Sequence, residues 1–198
     1  MSSDIWLSGQ GQNATYINES NSSTPAIKVG NSQGTSTAFI YPTSIMLGEF
    51  NVSCPATTST VGCIYADGFG NGSIMQNITT NYGGYGVQLE DADRAAIYNV
   101  INNNPYIAGE YAEEGTGNSY GNVLWEDDTV ALNFASSSGW LFGNDADEAS
   151  PVPFDRITML NDLAHANLTG SNGVIASTTG LNMQIAVRAM TCLLYTSG

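Results

Sequence analysis

Short runs that alternate apolar and polar residues recur along the chain, and each begins at a glycine. Five such runs start at Gly62, Gly86, Gly109, Gly139 and Gly173, at spacings of 24, 23, 30 and 34 residues. A second run rich in Ile, Val and Thr follows each of them. Alternation with period two predicts β-strands, and a strand pair that returns at such intervals predicts a solenoid.

Asparagine marks the ends of the second runs. Asn81, Asn103, Asn133 and Asn167 follow one another at spacings of 22, 30 and 34 residues, nearly the spacings of the glycines. In a coil that turns once per repeat, equivalent residues stack about 4.8 Å apart. Stacked asparagines can then hydrogen-bond to one another. The repeat therefore predicts an asparagine ladder along one turn of the solenoid.

Helix signals are weak, because few stretches keep a 3.6-residue apolar period over three turns. Residues 155–166 come closest, but they lie in register with the repeat, so we expect strands there. Residues 5–60 fit one or two irregular coils, with strands at Ile27–Val29 and 45–47. Every element is thus expected to be a β-strand.

The glycine-led strands, the asparagine-ended turns and the opening Leu7-Ser-Gly-Gln-Gly-Gln-Asn-Ala-Thr15 resemble the right-handed, single-stranded parallel β-helix of pectate-lyase-like and phage tailspike proteins. The resemblance covers residues 3 to about 191. It implies an all-β solenoid of about seven coils, a polysaccharide as partner, an extracellular or virion (phage tail) location and, as in tailspikes, a homotrimer. Because this fold also carries non-catalytic proteins, a structural or adhesive β-helix is the alternative.

Both ends of the sequence look cut. No signal peptide precedes the first apolar run, so we expect Met1 to be an internal methionine. The segment Cys192-Leu-Leu-Tyr-Thr-Ser197 resembles the translation of a transposase end used in sequencing libraries. We therefore expect residues 1–191 to be part of one β-helix domain, and residues 192–198 not to be native.

Charge and composition exclude several functions. The chain has 198 residues and a net charge of −14, with 18 acidic residues against Lys28, Arg94, Arg156 and Arg188. Four cations cannot form the basic patch that a nucleic-acid binder needs. No run approaches 18 apolar residues, so membrane insertion is not expected.

The cysteine content makes a zinc site improbable, since no pair has CxxC spacing and the chain has one histidine. Cys54 and Cys63 fit either a disulfide across a short loop or two separate buried thiols. We expect the separate thiols, because a free cysteine commonly packs as a small apolar residue.

Strand alternation assigns the candidate catalytic residues. Counted from the glycines, Glu90 and Glu113 point outward from adjacent coils, and the strand-to-turn edge carries Asp67, Asp91 and Glu114. Carboxyls on adjacent coils lie about 5 Å apart, the separation in retaining glycosidases. Asp67 and Glu114, two coils apart by this count, would be separated by about 9.6 Å, near the range of inverting enzymes. These five residues are the predicted acid, base or nucleophile set.

The acidic columns also fit two roles without catalysis. They form either a solvated surface or a Ca²⁺ site built from oxygen ligands; no further cofactor or metal is expected. Lyase chemistry is less favoured, because it needs cations to stabilise the developing charge. Arg94 is a candidate substrate-binding residue or half of a corner ion pair with Asp93.

Aromatic rings near the same columns suit a sugar substrate, since exposed rings stack on sugar faces. Tyr111 and Tyr85 are the predicted substrate-binding rings. Trp125 and Trp140 lie near the same columns, and such rings more often pack in the core.

Overall fold

The structure, a computed structural model, describes residues 4–30, 44–56, 60–70, 72–90, 92, 94–114, 122–144, 156–166, 170–176, 184–188 and 191–194. Every regular element within these ranges is a β-strand. The described ranges contain no helix long and apolar enough to cross a membrane. The predicted all-β class is confirmed.

Seventeen strands make up the described chain. In chain order they are β1 (Ile5–Ser8), β2 (Tyr16–Asn18), β3 (Ile27–Val29), β4 (Ile45–Ser53), β5 (Gly62–Asp67), β6 (Ile74–Asn81), β7 (Tyr85–Glu90), β8 (Ala95–Asn103), β9 (Ala108–Glu114), β10 (Asn122–Glu126), β11 (Thr129–Leu132), β12 (Ser138–Asn144), β13 (Arg156–Leu160), β14 (Leu163–Ala166), β15 (Asn172–Ala176), β16 (Gln184–Arg188) and β17 (Thr191–Leu194).

The strands form two parallel sheets between which the chain alternates. A six-stranded sheet has the order β3-β5-β7-β9-β12-β15, and an eleven-stranded sheet follows the path β1-β4-β6-β8-β10-β13-β16, joined by β2, β11, β14 and β17. Each strand therefore pairs with its equivalent one coil later. This is a parallel β-helix of about seven coils, counted along that path. Residues 156–166 form β13 and β14, as the repeat predicted.

A column of left-handed residues bends the eleven-stranded sheet. Equivalent positions on five coils have positive φ, at Glu49 (64°), Asn77 (51°), Asn99 (48°), Asp127 (60°) and Asn161 (59°). In the first three coils the bend lies inside β4, β6 and β8, whereas in the next two it separates β10 from β11 and β13 from β14. Asn and Asp tolerate this backbone region better than most residues, which explains their recurrence here.

The core fills the space between the two sheets. Inward residues of the eleven-stranded sheet stack in register as Leu47, Met75, Ile97, Trp125 and Met159. They face buried residues of the six-stranded sheet, and Trp125 meets Phe142 edge to face at 5.0 Å. Trp125 and Trp140 are both fully buried, so these two rings pack in the core and are not sugar-binding residues.

Two glycines of the column, Gly86 and Gly109, lie close to side chains of the opposite sheet. A Cβ atom on Gly86 would lie 2.1 Å from Asn102 Oδ1, and one on Gly109 would lie 2.5 Å from Val130 Cγ1. Both neighbours are buried side chains of the opposite sheet. The recurring glycine is therefore explained by a lack of space, because almost any side chain there would meet the facing strand.

The predicted register of the first glycine-led run is wrong by one residue. Gly62 pairs with Tyr85 and Ile64 with Val87, so Cys63 takes the position opposite Gly86. Cys63 fits this confined position because it is bonded to Cys54, with a Cα–Cα distance of 5.8 Å. The expectation of two separate thiols is wrong, because the sulfur atoms of Cys54 and Cys63 form a disulfide.

The asparagine ladder is confirmed in part. Asn103 Nδ2 donates to Asn81 Oδ1 at 3.2 Å, and Asn81 Nδ2 donates to Asn51 Oδ1 at 2.9 Å. The next rung differs from the prediction, because Asn133 donates to Asn104 rather than to Asn103. Asn103 itself pairs in register with Ala131. Asn167 lies outside the described residues.

Candidate functional site

The outer face of the six-stranded sheet carries the predicted site residues in two columns. One column runs in register through Lys28, Tyr65, Gln88, Tyr111 and Leu141. The other column holds the acidic positions, where Asp67 pairs with Glu90 and Glu113 pairs with Gly143. The paired positions of β7 and β9 end at Leu89 and Ala112, one residue before Glu90 and Glu113. Asp67, Glu90 and Glu113 thus occupy successive coils of one column.

Glu90 is held by two side chains of the neighbouring column. Its Oε2 atom accepts a hydrogen bond from the Tyr65 hydroxyl, and its Oε1 atom accepts one from Gln88 Nε2 at 3.1 Å. Gln88 is fixed in turn, because its Oε1 atom accepts from the Gly62 backbone N–H at 3.0 Å. Lys28 Nζ lies over the Tyr65 ring, 5.0 Å from its centre. Glu90 is therefore oriented by a network that spans three coils.

Two tyrosine rings lie together on the same face. The ring centres of Tyr85 and Tyr111 are 5.1 Å apart, with an angle of 33° between the planes. Tyr111 extends across Gly143, where a Cβ atom would lie 2.8 Å from the Tyr111 hydroxyl. Because Gly143 has no side chain, the Tyr111 ring can lie over it. The two rings form a partly exposed aromatic surface beside the acidic column.

The structure changes the predicted geometry of the carboxyls in one respect. Asp67 was expected to share a column with Asp91 and Glu114, but it pairs directly with Glu90, because the first coil is shifted by one residue. Asp67 is also nearly buried, with 8% of its surface exposed. Glu114 pairs with Asn144 at the strand end. Asp91 and Asp93 lie outside the described residues, as do the side chains of Glu113 and Glu114.

Arg94 does not lie on this outer face. It precedes β8 at the corner between the two sheets, has φ of 50° and is exposed. Its carbonyl oxygen accepts from the Gly72 N–H at 2.9 Å. The structure brings Tyr85, Tyr111, Glu90 and Asp67 to one face, while Arg94 occupies a turn.

A second acidic group lies inside the solenoid, and the sequence pattern revealed only one of its members. Glu110, Asp128 and Asp162 are at most 1% exposed. Asp128 Oδ1 accepts from the Val100 N–H at 2.6 Å, and Asp162 Oδ1 accepts from the Asp128 N–H at 3.0 Å. Glu110 Oε1 accepts from Asn102 Nδ2 at 2.8 Å, and Asn102 Oδ1 accepts from the Thr80 hydroxyl at 2.7 Å.

Burial dominates the electrostatics of these three carboxyls. Desolvation, reinforced by Asp162, raises the pKa of Glu110 from 4.5 to about 8. Desolvation also raises the pKa of Asp162 to about 7, and it raises that of Asp128 well above its usual value, with Glu110 adding to the effect. The indole N–H groups of Trp125 and Trp140 act in the opposite direction on Glu110, although neither makes a hydrogen bond of ordinary geometry.

The bend in the eleven-stranded sheet contains the signal for the two aspartates. The residue after each left-handed position points inward, and along the coils this column reads Phe50, Ile78, Val100, Asp128 and Asp162. A left-handed residue interrupts strict alternation, so counting inward and outward positions by twos misplaces whatever follows it. Alignment of Asn77-Ile78 and Asn99-Val100 with Asp127-Asp128 and Asn161-Asp162 would have placed both aspartates in the core.

Metal binding was one of the roles open to the acidic residues. Among the described side chains, no three His, Cys, Asp or Glu residues are arranged to hold a metal ion. Of the five predicted acidic residues, only Asp67 and Glu90 have described side chains, so this finding applies to those two.

The fold places the chain in the class of parallel β-helix proteins. Comparison with protein-family models, with curated proteins and with solved structures found no match.

Proposed function

We propose that the protein binds a polysaccharide along the outer face of the six-stranded sheet and hydrolyses it there, as a secreted or virion protein of the pectate-lyase-like or tailspike type. The observation that carries the proposal is the joint position of Tyr85 and Tyr111, with ring centres 5.1 Å apart, on the face that presents Glu90. Adjacent tyrosines offer a stacking surface for sugar rings, and a carboxyl beside them is the group that glycosidases use.

The carboxyl pair comes from neighbouring coils. In this proposal Glu90 is one member, and Glu113 is the other, one coil away in the same column. The strand spacing of about 4.8 Å suits a retaining mechanism, in which one carboxyl protonates the leaving oxygen and the other attacks the sugar. Asp67 is a poorer second member, because it is nearly buried.

The charge of the face favours a neutral polysaccharide. Asp67, Glu90 and Glu113 follow one another along the column, and the chain as a whole carries −14. A uronate or sulfate chain laid along these carboxylates would be repelled. The disulfide between Cys54 and Cys63 supports a location outside the reducing cytoplasm.

One observation favours a second function, glycan binding without cleavage. Both oxygens of Glu90 already accept hydrogen bonds, from Tyr65 and from Gln88. A carboxyl held in this way is well placed to position a ligand, but it must exchange a partner before it can donate a proton to a leaving group. An adhesive β-helix would use the same tyrosines and the same face.

The experiment compares cleavage and binding on one panel of neutral and anionic polysaccharides. Cleavage is followed by new reducing ends and by the ultraviolet absorbance of an unsaturated lyase product, and binding by affinity electrophoresis. Glu90→Gln removes the ionisable group at nearly constant volume, and Tyr111→Ala removes half of the aromatic surface. Glu126→Gln and Tyr98→Ala are the matched controls, because both residues lie on the outer face of the eleven-stranded sheet.

The proposal expects reducing ends from a neutral polysaccharide, loss of cleavage with retained binding in Glu90→Gln, and weaker binding in Tyr111→Ala. Both controls should behave as the wild type. Binding without cleavage by the wild type would establish the adhesive function instead. An unsaturated product, or equal effects of the site variants and their controls, would refute hydrolysis on this face.

A further inference from the structure

The three interior carboxyls are buried without compensating positive charge. In Glu110, Asp128 and Asp162, one oxygen of each carboxyl accepts a hydrogen bond, while the other is buried and has no hydrogen-bond partner among the described residues. A charged carboxylate in such a place is strongly disfavoured, whereas a protonated carboxyl fits, since it is neutral and can donate. The hydrogen-bonding pattern thus points to groups that hold protons in the folded chain.

The groups that act on the cluster from neighbouring elements do not supply the compensating positive charge. Asp127 acts electrostatically on both aspartates, and Glu126, on the outer face of the eleven-stranded sheet, acts on Asp162; each adds negative charge. The neighbours of Glu110 are neutral side chains from three strands, namely Asn102 of β8, Trp125 of β10 and Trp140 of β12. Ionisation would therefore place like charges together in the core of the middle coils.

We propose that Glu110, Asp128 and Asp162 form a pH-sensitive device that keeps the middle coils of the solenoid closed while they are protonated and loosens those coils when they ionise. The device lies between β8, β9, β11 and β14, where the core changes from apolar to polar. Its action does not depend on the proposed glycan function.

The direction of the effect follows from proton binding. Burial raises the pKa of Glu110 to about 8 and that of Asp162 to about 7, from ordinary values of 4.5 and 3.8. Between those limits the folded chain holds a proton that the unfolded chain releases. The stability that these carboxyls contribute is therefore complete only below about pH 4 and is lost as the pH rises through this window. Each such carboxyl lowers the folding equilibrium constant about tenfold per pH unit.

The test measures urea unfolding of the full chain between about pH 5 and about pH 9, a range that spans the expected proton release. Fluorescence of Trp125 and Trp140, which adjoin Glu110, reports the middle coils once Trp6, 75% exposed, is replaced in Trp6→Phe. Glu110→Gln keeps an oxygen that can accept the hydrogen bond from Asn102, but the new side chain cannot ionise. Asp4→Asn, which removes an exposed carboxyl at the first coil, is the control.

The wild type and Asp4→Asn should lose stability steeply as the pH rises, and Glu110→Gln should lose it about tenfold less per pH unit. Equal slopes in Glu110→Gln and the wild type would overturn the proposal. Carbon-13 NMR of the wild-type carboxyls decides the matter if Glu110→Gln does not fold. At least two carboxyls titrating above about pH 6 support the device, and ordinary titration of all carboxyls near pH 4 refutes it.

Discussion

Replacement of Gly86 by alanine should disrupt the polar part of the core. The new Cβ atom would lie 2.1 Å from Asn102 Oδ1 and 2.5 Å from Thr80 Oγ1. Neither atom can easily move aside, because both side chains are fully buried and are joined by a 2.7 Å hydrogen bond. Asn102 is further tied to Glu110 at 2.8 Å, so a shift of Asn102 breaks that bond as well.

The expected loss has two parts. Overpacking a core by one methyl group costs about 1–3 kcal/mol. Separating Asn102 from one of its buried partners leaves polar atoms unsatisfied, which costs about 1–3 kcal/mol. We therefore expect Gly86→Ala to lower the free energy of unfolding by about 4 kcal/mol, a large share of the stability of about 5–15 kcal/mol that is usual for a domain.

Gly143→Ala is the matched control for this substitution. There the three atoms nearest to the new Cβ atom all belong to the outer end of Tyr111, the hydroxyl at 2.8 Å, and that ring can turn outward. Urea unfolding at constant pH should show a large loss for Gly86→Ala and less than about 1 kcal/mol for Gly143→Ala, the cost of a tolerated surface change. In the proposed glycan site, Gly143→Ala should nevertheless weaken binding, since it displaces Tyr111.

A double-mutant cycle locates the clash. In the Gly86→Ala background, Asn102→Ala removes the atom that the new methyl group meets. The double variant should therefore lose less unfolding free energy than the sum of the losses in the two single variants. Strict additivity, or a Gly86→Ala variant as stable as Gly143→Ala, would refute the explanation of the glycine column as a close approach of the two sheets.

Two further predictions concern the ends and corners of the coils. Reduction of Cys54–Cys63, or the change of both cysteines to serine, should lower the free energy of unfolding by about 2.5 kcal/mol. This is the entropic cost of closing a loop whose ends are 9 residues apart in the unfolded chain. An unfolding midpoint that is the same with and without reductant would contradict this. Asn99 has φ of 48° and donates to Asn77 Oδ1 at 2.8 Å. Asn99→Ala should therefore cost about 2 kcal/mol and Asn99→Gly about half of that, because glycine removes the backbone strain but not the lost hydrogen bond; equal thermal unfolding of the two variants would show that strain at this corner is unimportant.

The solenoid could be predicted because its signals repeat in every coil. Gly86 and Gly109 face buried side chains across the core, and the asparagines at the corner permit a backbone conformation that other residues resist. Constraints of this kind act on one position per coil, so they appear in the sequence as columns with common spacings. They identify the architecture without any information about the ligand.

The errors of prediction from the sequence have a common physical cause. Counting inward and outward positions by twos fails where the backbone leaves the extended conformation. Alignment of the columns fails where another residue stands in the place of the expected glycine. Cys63 stands in the glycine column and shifted the first coil by one position, which misplaced Asp67. Asp127, at φ of 60°, turns Asp128 inward, so an acidic residue in the core was missed.

The outer face was only partly predictable, since its residues are not constrained by packing. Glu90, Tyr85 and Tyr111, which the sequence pattern grouped, lie on one face in the regular middle coils. Their role as site residues stays a prediction. The partners of Glu90 were missed. Tyr65 belongs to the misregistered coil, and it reaches Glu90 along a diagonal that column alignment does not reveal.

Strand β9 links the interior carboxyls to the proposed binding face. Glu110 points into the core and Tyr111, the next residue, points out, because successive side chains of a strand face opposite sides. A displacement of the β9 backbone that relieves charge at Glu110 must therefore move Tyr111 relative to Tyr85. In the earlier coils the bend column is Phe50, Ile78 and Val100, which are buried and apolar. Glu110 thus lies on the core side of the strand that carries Tyr111, so a change of its protonation can act on the outer face through the β9 backbone.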